Sequence, residues 1–228
     1  MSNWSEQLAV FDLETTGIDV ETSRIVSATV AVLGVGDIVH ERADWLLNPG
    51  IPIPLGASNV HGITTEHALQ NGRAAADGVS EIVEALRVHL TGGLPLVAYN
   101  APYDLTLLNR EAMRHGIPPL VSPSPVIDPL VIDKAVDRYR KGKRTLEVTS
   151  AFYGVVLEGA HDSGADAIAA GRVAQAIALR HAGLLPSTVE ELHAIQIEWS
   201  RQQAVSFQEY MRRSRDPGFV AAIGWPER

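Results

Sequence analysis

Three consecutive segments rich in Val, Ile, Leu and Ala, residues 8–13, 24–33 and 37–47, precede any helical pattern in this chain. Gly34-Val35-Gly36 is short enough to be a tight link, so the three predict a β-meander. The apolar spacing then changes. Val79, Ile82, Val83, Leu86 and Leu90 recur at helical intervals, predicting a helix over 78–90. A fourth strand over 94–99 runs straight into a helix over 101–115, with Asn100 as N-cap and Pro102 in the first turn. A short strand at 126–127 and helices near 64, after 127, over 146–153 and over 164–181 complete the pattern. Residues 48–59, crowded with proline and glycine, predict an extended loop. The order βββ-α-βα-β-α-α restricts the chain to an α/β fold with a mixed sheet.

With 228 residues, 46% of them hydrophobic, a well-filled core is available. Gly183 and Pro186 close the last domain helix, dividing the chain into a domain over 1–183 and a helical extension over 184–228. Ser187 and Glu190 have capping-box spacing and open that extension. There is no cysteine, so any metal must be held by oxygen or imidazole. The first residues lack a basic flank followed by an apolar run, and no apolar stretch approaches a membrane span. A cytoplasmic protein without membrane contact is therefore expected.

Three segments place charge where a core is expected. Asp12 and Glu14 lie two apart on the first strand and so share a face, while Phe11 and Leu13 face the core. Two neighbouring carboxylates on a buried strand need a compensating cation, or else a frayed strand end beside Thr15-Thr16-Gly17. Asp104 falls in the first turn of its helix, either favoured by the helix dipole or placed at a sheet edge for chemistry. His161 and Asp166 flank a helix start. Asp166 is then a capping partner of Ser163, or a metal ligand next to a basic imidazole.

Taken together, Asp12-x-Glu14 with Thr15-Thr16-Gly17, Asn100-Ala101-x-x-Asp104, and His161 with Asp166 resemble the three motifs of the DEDDh, DnaQ-like 3′→5′ exonucleases. The resemblance covers about residues 7–182 and is to the epsilon proofreading subunit of bacterial DNA polymerase III and its stand-alone relatives. Asn48-Pro49-Gly50, Val60-His61-Gly62-Ile63-Thr64 and Gly142-Lys143-Arg144-Thr145-Leu146 are similar to that family's accessory segments. Tyr99 stands where histidine is common, and Gly164 where a larger residue is usual; neither is a ligand position.

The resemblance implies a ribonuclease H-like fold, a five-stranded mixed sheet with helices on both faces, carrying a C-terminal helical appendage. It implies two divalent cations, Mg²⁺ or Mn²⁺, held by Asp12, Glu14, Asp104 and Asp166, with His161 taking a proton from water. It further implies that Leu13, Thr15, Val60, His61, Asn100 and Tyr103 hold a single-stranded or frayed 3′ end, and that Lys143 and Arg144 meet its phosphates. The net charge of −8 runs against a polyanion as substrate, but two divalent ions would bring it to −4, and five cations crowd into 138–144. An exoribonuclease and a non-catalytic binding or polymerase-assembly subunit are the alternatives. Gln202, Val205 and Phe207 loosely match a sliding-clamp peptide, whereas a helix continuing from Ser187 would pack this segment on the domain. The sequence leaves oligomeric state, DNA or RNA preference, and partnership with a DNA polymerase or sliding clamp open.

Overall fold

The computed structural model describes residues 3–36 and 38–228. A six-stranded mixed sheet runs through it in the order β4-β3-β2-β1-β5-β6. The expected meander is present as β1 (Leu8–Thr15), β2 (Ile25–Leu33) and β3 (Val39–Asn48), each antiparallel to the next. Asp37, the expected start of the third strand, lies outside the described residues. On the other side of β1, β5 (Leu96–Val97) and β6 (Val126–Ile127) add in parallel. The sixth strand, β4 (Arg73–Ala74), pairs with the end of β3. At two residues it is too short to leave a period-2 signature, so a five-stranded sheet was the natural expectation.

β1 is buried on both faces, and its alternation assigns them. Ala9, Phe11 and Leu13 pack against α3 (Ala75–Thr91) and α4 (Ala101–Arg114), in a cluster with Val79, Ile82, Leu105 and Leu108. Leu8 and Val10 point the other way, onto Ala170, Val173 and Ile177 of α7 (Ser163–Arg180). Period 2 places Asp12 and Glu14 in the same row as Leu8 and Val10. α7 approaches this row closely because Gly171 lacks a side chain: a Cβ there would stand 2.5 Å from both Val10 Cγ1 and Leu33 Cδ1. Asp166 lies in the first turn of α7, five residues before Gly171, and meets Asp12 and Glu14 where the apolar cover ends.

The remaining helices are α1 (Leu55–His61), α2 (Thr65–Asn71), α5 (Pro129–Val136), α6 (Leu146–Tyr153) and α8 (Val189–Ser214). α1 corrects the expected loop: it buries no residue, so it has no apolar stripe to reveal it. Asp128, not foreseen as a cap, accepts from Leu130 and Val131 at the start of α5. Among the described residues no helix is long and apolar enough to cross a membrane.

α8 opens one residue later than Ser187 suggests, on Thr188, whose side chain accepts from Glu191 N–H. It occupies the edge where a seventh strand would pair. Val126 N–H donates to His193 Nδ1 at 3.0 Å, Gln196 Nε2 donates to Val126 O at 3.0 Å, and Asp128 N–H donates to Gln196 Oε1 at 2.7 Å. Side chains thus satisfy the exposed backbone of β6. Leu192 and Gln196 are fully buried, and the following segment returns to seat Trp225 in the β1–α4 core. Gln202, Val205 and Phe207 lie within the helix, with Gln203 bonded to Val131 O, so they do not form the extended peptide that clamp binding requires. Removing residues 187–228 strips this cover, and we expect the melting temperature to fall by about 10 °C, from roughly 3–5 kcal/mol for the buried tryptophan alone. Thermal unfolding of the truncated protein measures it; an unchanged melting temperature would show that the extension contributes no packing.

Candidate active site

Carboxylate oxygens of Asp12, Glu14 and Asp166 lie within 4.8 Å of one another, all on half-buried side chains. Burial pushes each pKa up, against the pull of His161 in the case of Asp166; Asp12 is raised well above its ordinary value by burial, then by Asp104, Asp166 and Glu14. Burial first, then Asp166 and Asp162, raise Glu14 to about 8. Asp104 is buried in the first turn of α4 and is also raised well above its ordinary value, chiefly by burial. It stands outside the 4.8 Å group, yet its charge is the largest neighbouring one that Asp12 feels. The four acids of the sequence motifs therefore converge on one end of β1.

The capping reading of Asp166 is met only in part. Asp162, not Ser163, caps α7 by accepting from Ala165 N–H at 3.0 Å. Asp166 Oδ2 reaches back to the His161 N–H at 3.3 Å, as a capping partner would, while Oδ1 is buried with no hydrogen-bond partner. His161 itself is exposed with a left-handed backbone, φ 68°. That conformation is uncommon for a residue with a side chain and is typical of functional loops. Gly164 is explained by a neighbour the sequence did not point to: a Cβ there would stand 2.1 Å from Arg42 Nη2. Arg42 pairs with Asp44 and fills the space that the larger residue would take.

Asn100 occupies the N-cap position of α4 in the left-handed region, φ 66°, but its side chain caps nothing. Asp128 does that work, accepting from Asn100 N–H at 3.0 Å and Ala101 N–H at 3.1 Å, and from the Trp225 indole at 3.4 Å. The Asn100 side chain is left exposed. Tyr103 ties α4 to the turn after β1: its hydroxyl donates to Gly17 O and is 2.6 Å from Thr15 Oγ1. Burial raises its pKa to about 12, so it stays a phenol. His61 ends α1; its Nδ1 accepts from Ile63 N–H, its Nε2 is buried without a partner, and burial lowers its pKa, helped by nearby His161. Val60 beside it is exposed, whereas Leu13 and Thr15 are buried and offer backbone.

The comparisons with known proteins fall on this same stretch. The family profile described as RNase_T, Exonuclease, matches residues 9–174. The chain belongs to this exonuclease family. It is of the DEDDh, DnaQ-like type, as the motifs indicated. DNA polymerase III PolC-type of Streptococcus sanguinis (strain SK36) is 32% identical over 165 residues, 72% of this chain but 10% of that protein. The same protein of Streptococcus thermophilus (strain LMD-9) is 31% identical over 167 residues, again 10% of its length. Among solved structures, E. coli exonuclease I in complex with a dT13 oligonucleotide superposes with a TM-score of 0.66 at 18% identity, covering 78% of this chain and 42% of that one. Exonuclease I of Methylocaldum szegediense gives 0.65 at 18% identity, covering 90% and 45%. These superpositions establish the ribonuclease H-like fold. The chain spans about a tenth of its PolC-type relatives and less than half of exonuclease I.

The donor set fits a hard divalent cation. It is all oxygen, it is crowded enough to resist ionisation, and Asp166 Oδ1 is a buried acceptor with nothing to accept from. Arg144, by contrast, is not free to meet a phosphate. Its guanidinium bonds Asp133 Oδ2 at 2.5 Å and Asp133 O at 3.0 Å, and Tyr99 holds its carbonyl at 2.8 Å. Asp133 is fully buried and also takes Arg140, so two of the three arginines of the basic run, Arg140 and Arg144, are structural. Lys143 remains exposed on the loop before α6.

Glu14 makes the chain without bound cations sensitive to pH. Its carboxyl holds a proton up to about 8 in the folded state but only to 4.5 when unfolded. Between those values the folded state binds the extra proton, so stability falls as pH rises. Melting in EDTA should therefore occur at a lower temperature at pH 8 than at pH 5, with Glu14→Gln narrowing the gap. A wild-type melting temperature that rises over this range, with no effect of Glu14→Gln, would contradict the crowding.

Proposed function

We propose that this exonuclease removes nucleoside 5′-monophosphates, 3′→5′, from single-stranded or frayed DNA ends in the cytoplasm, in proofreading or repair. The observation that carries the reading is the convergence of Asp12, Glu14 and Asp166 within 4.8 Å, beside a loop histidine. The DNA preference is supported by the proteins the chain resembles, a DNA polymerase III and an exonuclease in complex with a dT13 oligonucleotide. A working link to a polymerase rests on the first of these relatives alone.

Asp12, Glu14, Asp104 and Asp166 would hold two Mg²⁺ or Mn²⁺ ions. When bound, the ions supply charge to the phosphoryl oxygens and to the departing 3′ oxygen. His161, next to Asp166, accepts the proton of the attacking water as its oxygen bonds phosphorus and the P–O3′ bond breaks. Backbone at Leu13 and Thr15, with Val60 and His61, grips the terminal nucleotide from one side. The free Asn100 side chain takes the other, and Tyr103, its hydroxyl engaged by Thr15, offers its ring edge.

Digestion of matched single-stranded DNA, a duplex with a 3′ mismatch and a short RNA, each with Mg²⁺ and with EDTA, tests the assignment. The expected order is single strand, then mismatch, then RNA, with no turnover in EDTA. Faster RNA digestion would reassign the substrate, and binding without turnover on all three would leave only a binding module.

A further inference from the structure

α8 and α5 enclose a trough that leads away from the active-site turn. Near the centre, a cavity of 390 Å³ is lined by Asn100 and Pro102, which begin the helix carrying Asp104, and by Lys134, Gln203 and Phe207. A second cavity of 590 Å³ shares the last three residues with it and extends to Arg138 and Tyr210. Three shared lining residues make the two cavities contiguous.

The lining is basic in a chain of net charge −8. Arg140 and Arg144 also reach the wall but are committed to Asp133. Among the described residues Lys134 and Arg138 have no ion pair within 4 Å, and Asp128, the one acid in the lining, is occupied by backbone N–H groups and Trp225. Burial holds Lys134 below its ordinary pKa, against the pull of Asp128 and Asp133, neither of which reaches it as an ion pair. Phe207 and Tyr210 are each 52% exposed, one turn apart on the same helix. Arg138 also lies over the Tyr139 ring and Phe207 packs edge-on against Phe219, yet two cations beside two half-exposed rings suit a chain of phosphates and flat bases better than a peptide.

We propose that this trough binds the single-stranded polynucleotide on the 5′ side of the scissile nucleotide, with Lys134 and Arg138 on its phosphates and Phe207 and Tyr210 stacking its bases. The proposal rests on the exonuclease reading for the placement of the 3′ end. It moves the phosphate contact from Lys143 and Arg144 to α5, α8 and Arg138, and gives the helical extension a task beyond packing.

The test uses the full chain, with Lys134→Gln/Arg138→Gln, Phe207→Ala/Tyr210→Ala, and the exposed-site pair Arg138→Gln/Tyr210→Ala as a variant that leaves the core untouched. Binding of 5′-fluorescein dT12 is followed by anisotropy in EDTA, where no turnover occurs. Each pair should weaken binding about tenfold or more. The Lys134/Arg138 pair should also flatten the slope of log affinity against log salt by about 1.4, at about 0.7 per phosphate contact. In Mg²⁺, the ratio of kcat/KM for dT12 to that for dT2 should fall by a similar factor. Unchanged affinity and slope, or equal losses on dT12 and dT2, would overturn the trough. Hydrolysis of thymidine 5′-(p-nitrophenyl phosphate) by the wild type reports the catalytic centre separately: its failure, with dT12 binding intact, would count against the exonuclease reading and not against the trough.

Discussion

Asp12→Asn should lower Mg²⁺-dependent turnover by about 10³-fold or more, since cation stabilisation of the reacting phosphate is worth several kcal/mol. Asp12 is the hub of the cluster: Asp104, Asp166 and Glu14 all press on its charge. The amide keeps the shape of the side chain and removes the negative oxygen. In EDTA the same variant should melt at a higher temperature than the wild type, because it relieves repulsion that no cation offsets. Opposite signs for activity and metal-free stability separate a metal site from an ordinary structural acid, whose loss would lower both. Turnover near the wild-type level, or a lower melting temperature in EDTA, would refute the assignment.

His161→Gln should cost about 10²–10⁴-fold in turnover, the span expected for loss of a positioned general base. Its backbone N–H, not its ring, contacts Asp166, so the substitution preserves that hydrogen bond. Metal affinity, read by isothermal titration with Mn²⁺, should therefore be retained. Loss of metal binding in this variant would make the imidazole a ligand and leave the reaction without an assigned base. Because φ at this position is 68°, His161→Asn is a useful second variant, asparagine being at ease there.

The acids were legible in the sequence because strand and helix periodicities fix their direction. Asp12 and Glu14 share a face by period 2, and Asp104 and Asp166 each sit in a first turn after a breaker. What supports them was not legible. Asp128 caps α4 from 28 residues away, and Arg42 reaches Gly164 from a strand two positions across the sheet. Both depend on tertiary contacts that no local pattern encodes. The basic run misled for the same reason: its charges are visible in sequence, but the buried Asp133 that absorbs Arg140 and Arg144 lies on another element. α1 was read as a loop because proline and glycine punctuate it and no apolar stripe opposes that signal.

The most direct measurement is the product ladder from a 5′-labelled single-stranded DNA incubated with the full chain and Mg²⁺. A two-cation 3′→5′ exonuclease predicts a ladder that shortens one nucleotide at a time from the 3′ end, with nucleoside 5′-monophosphates released and no products in EDTA. Immediate release of short labelled fragments, internal cleavage, or degradation that persists without divalent cations would contradict it.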